Sequence, residues 1–283
     1  MSQSSQPVPS SPPPGPAETR IGRRFAELRR ANELGLVAYV TAGDPSLAAT
    51  REIVLAAAAA GADVIELGVP FSDPIADGPV IQRASERALR AGASLASTLA
   101  LIADLRRSTE VPLVVFSYFN PILQMGLEDF ARRAAQAGAD GVLATDLTPE
   151  EAAEYRSALR ARHLDTIFLA APTTPDDRLA RITGASTGFL YLISRTGVTG
   201  QRDRLPDDLG ALASRVRRAT PLPLAVGFGL SQPEHLRALV GRVDAAVVGS
   251  ALVREIEQAS SPAEAARAVA ARVRSLKDAG RER

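Results

Sequence analysis

The sequence predicts an α/β chain folded as a (β/α)8 barrel, and three observations predict it. Short apolar runs, often β-branched, alternate with Ala/Leu/Arg/Glu-rich helical stretches, the pattern of a parallel sheet buried on both faces. Eight such runs fall within about 250 residues, the length of this barrel. The joints also repeat. "AGADVIELG" at 60–68 and "AGADGVLATD" at 137–146 share a helix-stopping Gly, an Asp and then the next strand, and "GRVD" at 241–244 is a weaker echo. A doubly wound open sheet is the alternative, but no Gly-x-Gly-x-x-Gly follows the first strand and "TAGDP" at 41–45 cannot serve as one.

Residues 1–17 hold six of the twenty prolines and no charged side chain. Such a segment buries too little apolar surface to offset its ordering entropy and reads as a disordered Pro/Ser-rich tail. Residues 18–283 then form a single domain. An extra amphipathic helix over about 19–31 precedes the first strand. Strands are expected at 36–43, 64–70, 112–118, 141–146, 166–172, 189–194, 223–229 and 245–250, with helical stretches between them. The longest uncharged run, 111–127, is broken by two prolines, Asn120 and Gln124, so it does not read as a membrane span. With no basic start and apolar stretch of a secretory signal, the chain is expected to be soluble and cytoplasmic.

Composition narrows the chemistry. The 283 residues carry 33 basic and 32 acidic side chains, a net charge of +1 that gives no reason to expect nucleic acid or a membrane surface as partner. Without cysteine there is no disulfide, thiolate metal site or Cys nucleophile. The one lysine, Lys277, lies too near the terminus to serve a barrel pocket, and the two histidines, His163 and His235, sit in helical patterns. Schiff-base chemistry and a zinc centre therefore lack their residues, and no metal site is expected. His235 reads as a surface residue and His163 as a favourable cation at a helix end. The Arg pairs at 23–24, 29–30, 106–107, 132–133 and 217–218 read as solvated helix faces. Tyr39, Tyr118 and Tyr191 fall within strands, where core packing is the default.

Reactive groups in such a barrel belong at the carboxyl ends of strands and in the loops beyond. Glu66 interrupts the apolar second strand, and alternation turns it opposite to Ile65 and Leu67. A buried ion pair with an arginine and a functional carboxyl are both open readings of it. The following loop, "FSDPIADGP" at 71–79, adds Asp73 and Asp77. Each alone is an ordinary turn former, but a proline-stiffened loop beyond Glu66 places several carboxyls around one cavity. On the far side, the strand ends at Gly227–Ser231 and Gly249–Ser250 read as an anion site, with Ser250 placed to cap the next helix. "RTGVTG" at 195–200 reads as a lid.

The stretches "YVTAGDP" (39–45), "VIELGVPFSDPIADGPVIQ" (64–82), "YLISRTGVTG" (191–200), "GFGLS" (227–231) and "VVGSALV" (247–253) resemble the tryptophan synthase alpha subunit family, in its order and spacing from about residue 19 onward. The resemblance implies a TIM barrel that cleaves indole-3-glycerol phosphate to indole and glyceraldehyde 3-phosphate. Carried over by position, Glu66 is the main acid/base and Asp77 holds the indole N–H. Tyr39, Phe116, Leu143, Tyr191, Thr199 and Phe228 bind substrate, and Gly200, Gly229, Gly249 and Ser250 bind phosphate. It also implies an α2β2 assembly with a beta subunit, Asp73 and Asn120 at or near that interface, and no cofactor in this chain, the PLP belonging to the beta partner. Loops 71–80 and 195–205 are expected to respond to that partner. The residue counts agree with this chemistry: protonated indole supplies its own electron sink, so neither lysine nor metal is needed. A binding barrel that holds a phosphorylated metabolite without turnover is the alternative of a different class.

Overall fold

The computed structural model describes residues 19–193, 209–227 and 229–281; the expected tail and the whole of the 195–205 loop lie outside them. Nine parallel strands form one sheet: β1 (Gly35–Thr41), β2 (Val64–Gly68), β3 (Leu113–Ser117), β4 (Gly141–Ala144), β5 (Asp165–Ile167), β6 (Leu169–Ala170), β7 (Leu190–Ile193), β8 (Leu224–Gly227) and β9 (Ala245–Val248). Their order is β5-β4-β3-β2-β1-β9-β8-β7-β6. The two ends of that order, β5 and β6, are the halves of the single strand expected at 166–172, interrupted at Phe168. Because β5 pairs with β4 and β6 with β7, the sheet closes through the interruption, and the Tyr191 N–H donates to the Phe168 carbonyl at 3.1 Å across it. Helices alternate with the strands, which makes a (β/α)8 barrel.

The helix Arg20–Ala31 starts where Thr19 caps it, its side chain accepting from the Gly22 N–H at 3.0 Å. Its buried face, Ile21, Phe25 and Leu28, packs on the inward residues Val37, Val64, Val114, Leu143, Ile167, Phe189 and Ala245. This helix closes the amino-terminal mouth of the barrel, each large side chain contributing about 1.5–3 kcal/mol by burial. Ile65 and Leu67 face the helix layer instead, with Ile53, Val54 and Ile102. Strand alternation thus turns Glu66 into the interior.

The repeated Asp of the joints has a role beyond ending helices. Asp63, Asp140 and Asp244 each accept the N–H of a neighbouring strand, from Leu36 (2.6 Å), Leu113 (2.8 Å) and Leu224 (2.8 Å). Each also meets a cation: Arg24 and Lys277 on Asp63, Arg106 and Arg20 on Asp140, Arg217 on Asp244. The reading of every Arg pair as solvated is therefore corrected for two of them, since Arg24 and Arg106 turn inward to a buried carboxylate, while Arg217 stays exposed. Lys277 is buried with its Nζ 2.7 Å from Asp63 Oδ2, beneath the barrel and away from the cavity described next. His235 is corrected too. It is buried, and its Nδ1 accepts the Ser231 N–H at 3.2 Å. His163 stands beyond the helix Ala153–Arg160, at φ 58°.

Candidate active site

A cavity of about 150 Å3 opens at the carboxyl ends of the strands. One water needs only about 15 Å3, so this space admits an organic ligand. Glu66 and Asp77 both line it, and so do Gly229, Gly249 and Ser250 on the opposite rim. The joining walls are largely apolar: Phe116, Ile81, Leu169, Ile193 and Val247, with Tyr39 and Tyr191.

Glu66 lies between Tyr39 of β1 and Val114 of β3 in the register of the sheet. Its side chain is fully buried, and neither oxygen has a hydrogen-bond partner among the described residues. The alternative of a buried ion pair is thereby set aside, because no described arginine reaches it. Desolvation with nothing to offset it pushes its carboxyl up to about 8. The group is neutral at pH 7 and holds a proton it can give.

Asp77 is treated differently by its surroundings. Desolvation raises its carboxyl to about 6, against a hydrogen bond from Tyr118 that favours the ionised form. The Tyr118 hydroxyl donates to Asp77 Oδ2 at 3.1 Å and accepts the Ala76 N–H at 2.9 Å, so one oxygen ties both the carboxyl and the backbone just before it. Gln82 Nε2 donates to the Asp77 carbonyl at 2.9 Å. Tyr118 is a functional residue that sequence reasoning left in the core. It stands just beyond β3 rather than within it, and 41 residues separate it from its partner.

Two glycines have a steric reason. A Cβ at Gly68 would lie 2.1 Å from the Tyr39 hydroxyl, and one at Gly227 would lie 2.0 Å from that of Tyr191. Only Gly at those strand ends lets the two rings lie across the barrel mouth. Burial raises both phenols well above their ordinary range, so both remain hydroxyls. Tyr39 also meets Phe116 edge to face at 5.1 Å.

On the opposite rim Gly229 adopts φ 80°, the left-handed region that favours glycine. The helix Ser250–Gln258 starts there, and its N-cap is Gly249, not Ser250 as expected. Ser250 is the first helical residue and makes no side-chain cap, so the first backbone N–H groups of this helix have no capping side chain and face a cavity-lining position. Leu143 is fully buried in one cluster with Tyr191, Val247 and Phe116, and its same-face neighbour Thr145 lines the cavity just beyond β4. Thr199, Gly200 and Phe228 lie outside the described residues. Asp73 and Asn120 are both exposed, on the loop after β2 and the helix Phe119–Met125 after β3.

A (β/α)8 barrel with two carboxyls of unlike protonation at one end of an apolar cavity, and backbone donors at the other, defines an acid–base enzyme for a ligand with an anionic end. The sequence model described as tryptophan synthase alpha chain matches residues 25–281. Relatives of that description include one from Solibacter usitatus, 55% identical over 85% of this chain and 90% of its own length, and one from Roseiflexus sp., 50% identical over 89% and 97%. Among solved structures, tryptophan synthase of Mycobacterium tuberculosis superposes with TM-score 0.87 at 35% identity, over 94% of this chain and 99% of its own. The alpha subunit of Legionella pneumophila does so at 0.83 and 35%, over 93% and 98%. The chain belongs to the tryptophan synthase alpha chain family, the carbon–carbon lyases of tryptophan biosynthesis that cleave indole-3-glycerol phosphate to indole and glyceraldehyde 3-phosphate.

Proposed function

We propose that Glu66 and Asp77 divide the proton chemistry of this cleavage between them. Neutral Glu66 gives its proton to carbon 3 of the indole ring, and ionised Asp77 accepts a hydrogen bond from the ring N–H as positive charge grows there. Glu66, now a carboxylate, takes the proton of the adjacent side-chain hydroxyl. The bond from carbon 3 to that carbinol carbon breaks, its electron pair returns to the ring and restores aromaticity, and the carbinol becomes the aldehyde of glyceraldehyde 3-phosphate. The proton lost by the hydroxyl equals the one gained at carbon 3, so Glu66 ends as it began. Tyr39, Phe116 and Tyr191 bracket the ring, with Thr199 and Phe228 assigned there by position. Gly229, Gly249 and Ser250, with Gly200, receive the phosphoryl group through backbone N–H groups.

The observation that carries this reading is the placement of Glu66 and Asp77 in one apolar cavity with carboxyls at about 8 and about 6. A binding barrel without turnover has no need of a neutral, partnerless Glu. Glu66→Gln tests it: turnover should fall by roughly 10²–10⁴-fold while substrate analogues still bind, and normal cleavage by that variant would remove Glu66 from its role.

We further propose that the chain, one barrel domain over 18–283 behind its tail, works in the cytoplasm as the alpha subunit of an α2β2 assembly. It would need no cofactor of its own, the PLP being held by the beta subunit. Asp73 and Asn120 would lie at or near that interface, which is supported by their exposure on segments that Tyr118 joins to Asp77. Indole release measured with and without saturating beta subunit tests the assembly; a rate indifferent to the partner would count against it.

A further inference from the structure

Two helices aim their amino ends at the cavity. Pro79–Arg90 follows Asp77 directly, and Ser250–Gln258 begins on the opposite rim. Near the rim they meet in a small apolar cluster, Val80, Ile81 and Ala84 with Val253, beside Tyr39. Each helix also packs on β1, but apolar contact is non-directional and leaves the angle between the two helices weakly specified.

A second attachment lies farther out. Glu257, seven residues beyond Ser250 and so about 10 Å along its helix, accepts from Arg83 Nε (2.7 Å) and Nη2 (2.8 Å) and from Arg87 Nη1 (2.8 Å). Arg87 spends its other nitrogens on Asp44, Nε on Oδ1 and Nη2 on Oδ2, both at 2.8 Å. The Asp44 side chain is fully buried in the turn that ends β1. One guanidinium thus joins three elements: the turn after β1, the helix that carries Asp77 at its head, and the helix that carries Ser250. Bidentate pairing of this kind fixes angle as well as distance. The hydrogen bonds from Arg83 and Arg87 hold the Glu257 carboxyl down at about 2, so the pair is ionic at every working pH. Arg83 is half exposed and Glu257 a quarter exposed, and ion pairs so placed add little stability. What they do add is a directional tie between these two helices and the turn after β1.

We propose that Glu257, Arg83 and Arg87 are positioning residues that set the separation between the Asp77 end of the cavity and the Gly249–Ser250 end, so that ligands are selected by the span between ring and phosphoryl group. The inference rests on the assignment of Gly249 and Ser250 to that phosphoryl group. A rigid span favours a ligand that engages both ends at once and is irrelevant to one that engages either end alone.

The test is equilibrium binding to the full chain of three probes: indole, glycerol 3-phosphate, and indole-3-propanol phosphate, which joins ring and phosphoryl group but has no hydroxyl to cleave. Glu257→Ala should weaken the joined probe by roughly tenfold or more and leave the two separate probes unchanged. Glu257→Gln, which keeps an acceptor at the same reach, should recover part of the loss. Arg83→Met, at an exposed position, should repeat the pattern without unpairing buried Asp44. Unchanged binding of the joined probe in Glu257→Ala and Arg83→Met, or equal weakening of all three probes, would overturn the proposal. If the native chain holds the joined probe no tighter than indole, the phosphoryl assignment itself fails and the positioning role falls with it.

Discussion

The two ends of the barrel hold buried carboxyls under opposite conditions. At the amino end Asp63, Asp140 and Asp244 each have a backbone donor and at least one cation within reach. Burial pushes Asp140 up as well, but the Leu113 N–H, Arg106 and Arg20 oppose it. At the carboxyl end, among the described residues, Glu66 has no partner, and Asp77 has Tyr118 alone on its carboxyl. The difference separates two uses of one functional group. Asp63, Asp140 and Asp244, with their lone pairs engaged, belong to the frame, whereas Glu66 is both unfilled and open to a ligand cavity. The cavity is what decides, since Asp165 at the amino end also has an unfilled oxygen among the described residues but lines no part of it.

The largest expected effect breaks that contrast at the carboxyl end. Asp77→Asn should lower kcat/KM by roughly 10²–10⁴-fold with little change in the urea midpoint, because no ion pair is lost. The next breaks it at the amino end. Asp140→Ala strips Leu113, Arg106 and Arg20 of their shared acceptor, and should cost about 3–5 kcal/mol in urea unfolding while kcat of the folded protein holds. If Asp140→Ala abolished turnover without lowering the midpoint, the division of labour between the two ends would be wrong.

Much of this division was legible in sequence, and the rest was hidden for physical reasons. Strands buried on both faces write themselves as continuous apolar runs, so all eight were visible, but the same continuity in "TIFLAAP" concealed the interruption at Phe168. Period-two alternation was enough to turn Glu66 inward. It could not say how far beyond β4 the cavity wall extends, so Thr145, on the same face as Leu143, went unnamed. Nor does a run such as "LRRS" reveal that Arg106 folds onto Gly138 and Asp140 while Arg107 stays in solvent; that depends on the neighbouring joint. Tyr118 and Asp77 meet only through the return of a loop, and no local pattern encodes such a meeting.

A third effect concerns stability alone. Glu66 titrates at about 8 in the fold against 4.5 unfolded, so its protonation favours the folded state fully below pH 4.5 and loses that advantage as pH rises through 8. Glu66→Gln never ionises. Its midpoint should match the native one at pH 4 and exceed it at pH 9, by on the order of 5 kcal/mol in stability.

The smallest effect sharpens the contrast within the cavity. Turnover requires Glu66 protonated and Asp77 ionised, so kcat/KM should rise through about pH 6 and fall through about pH 8. Tyr118 donates to the ionised form of Asp77 and lowers its pKa. Removing that donor in Tyr118→Phe should move the acid limb upward by roughly a unit or less, leaving the alkaline limb where it was. The hydroxyl also accepts the Ala76 N–H, so a loosened loop is the competing consequence. The two are separable by pH. A tuning role costs activity at pH 6 and spares it at pH 7.5, whereas a loop held only for its shape loses the same fraction at every pH.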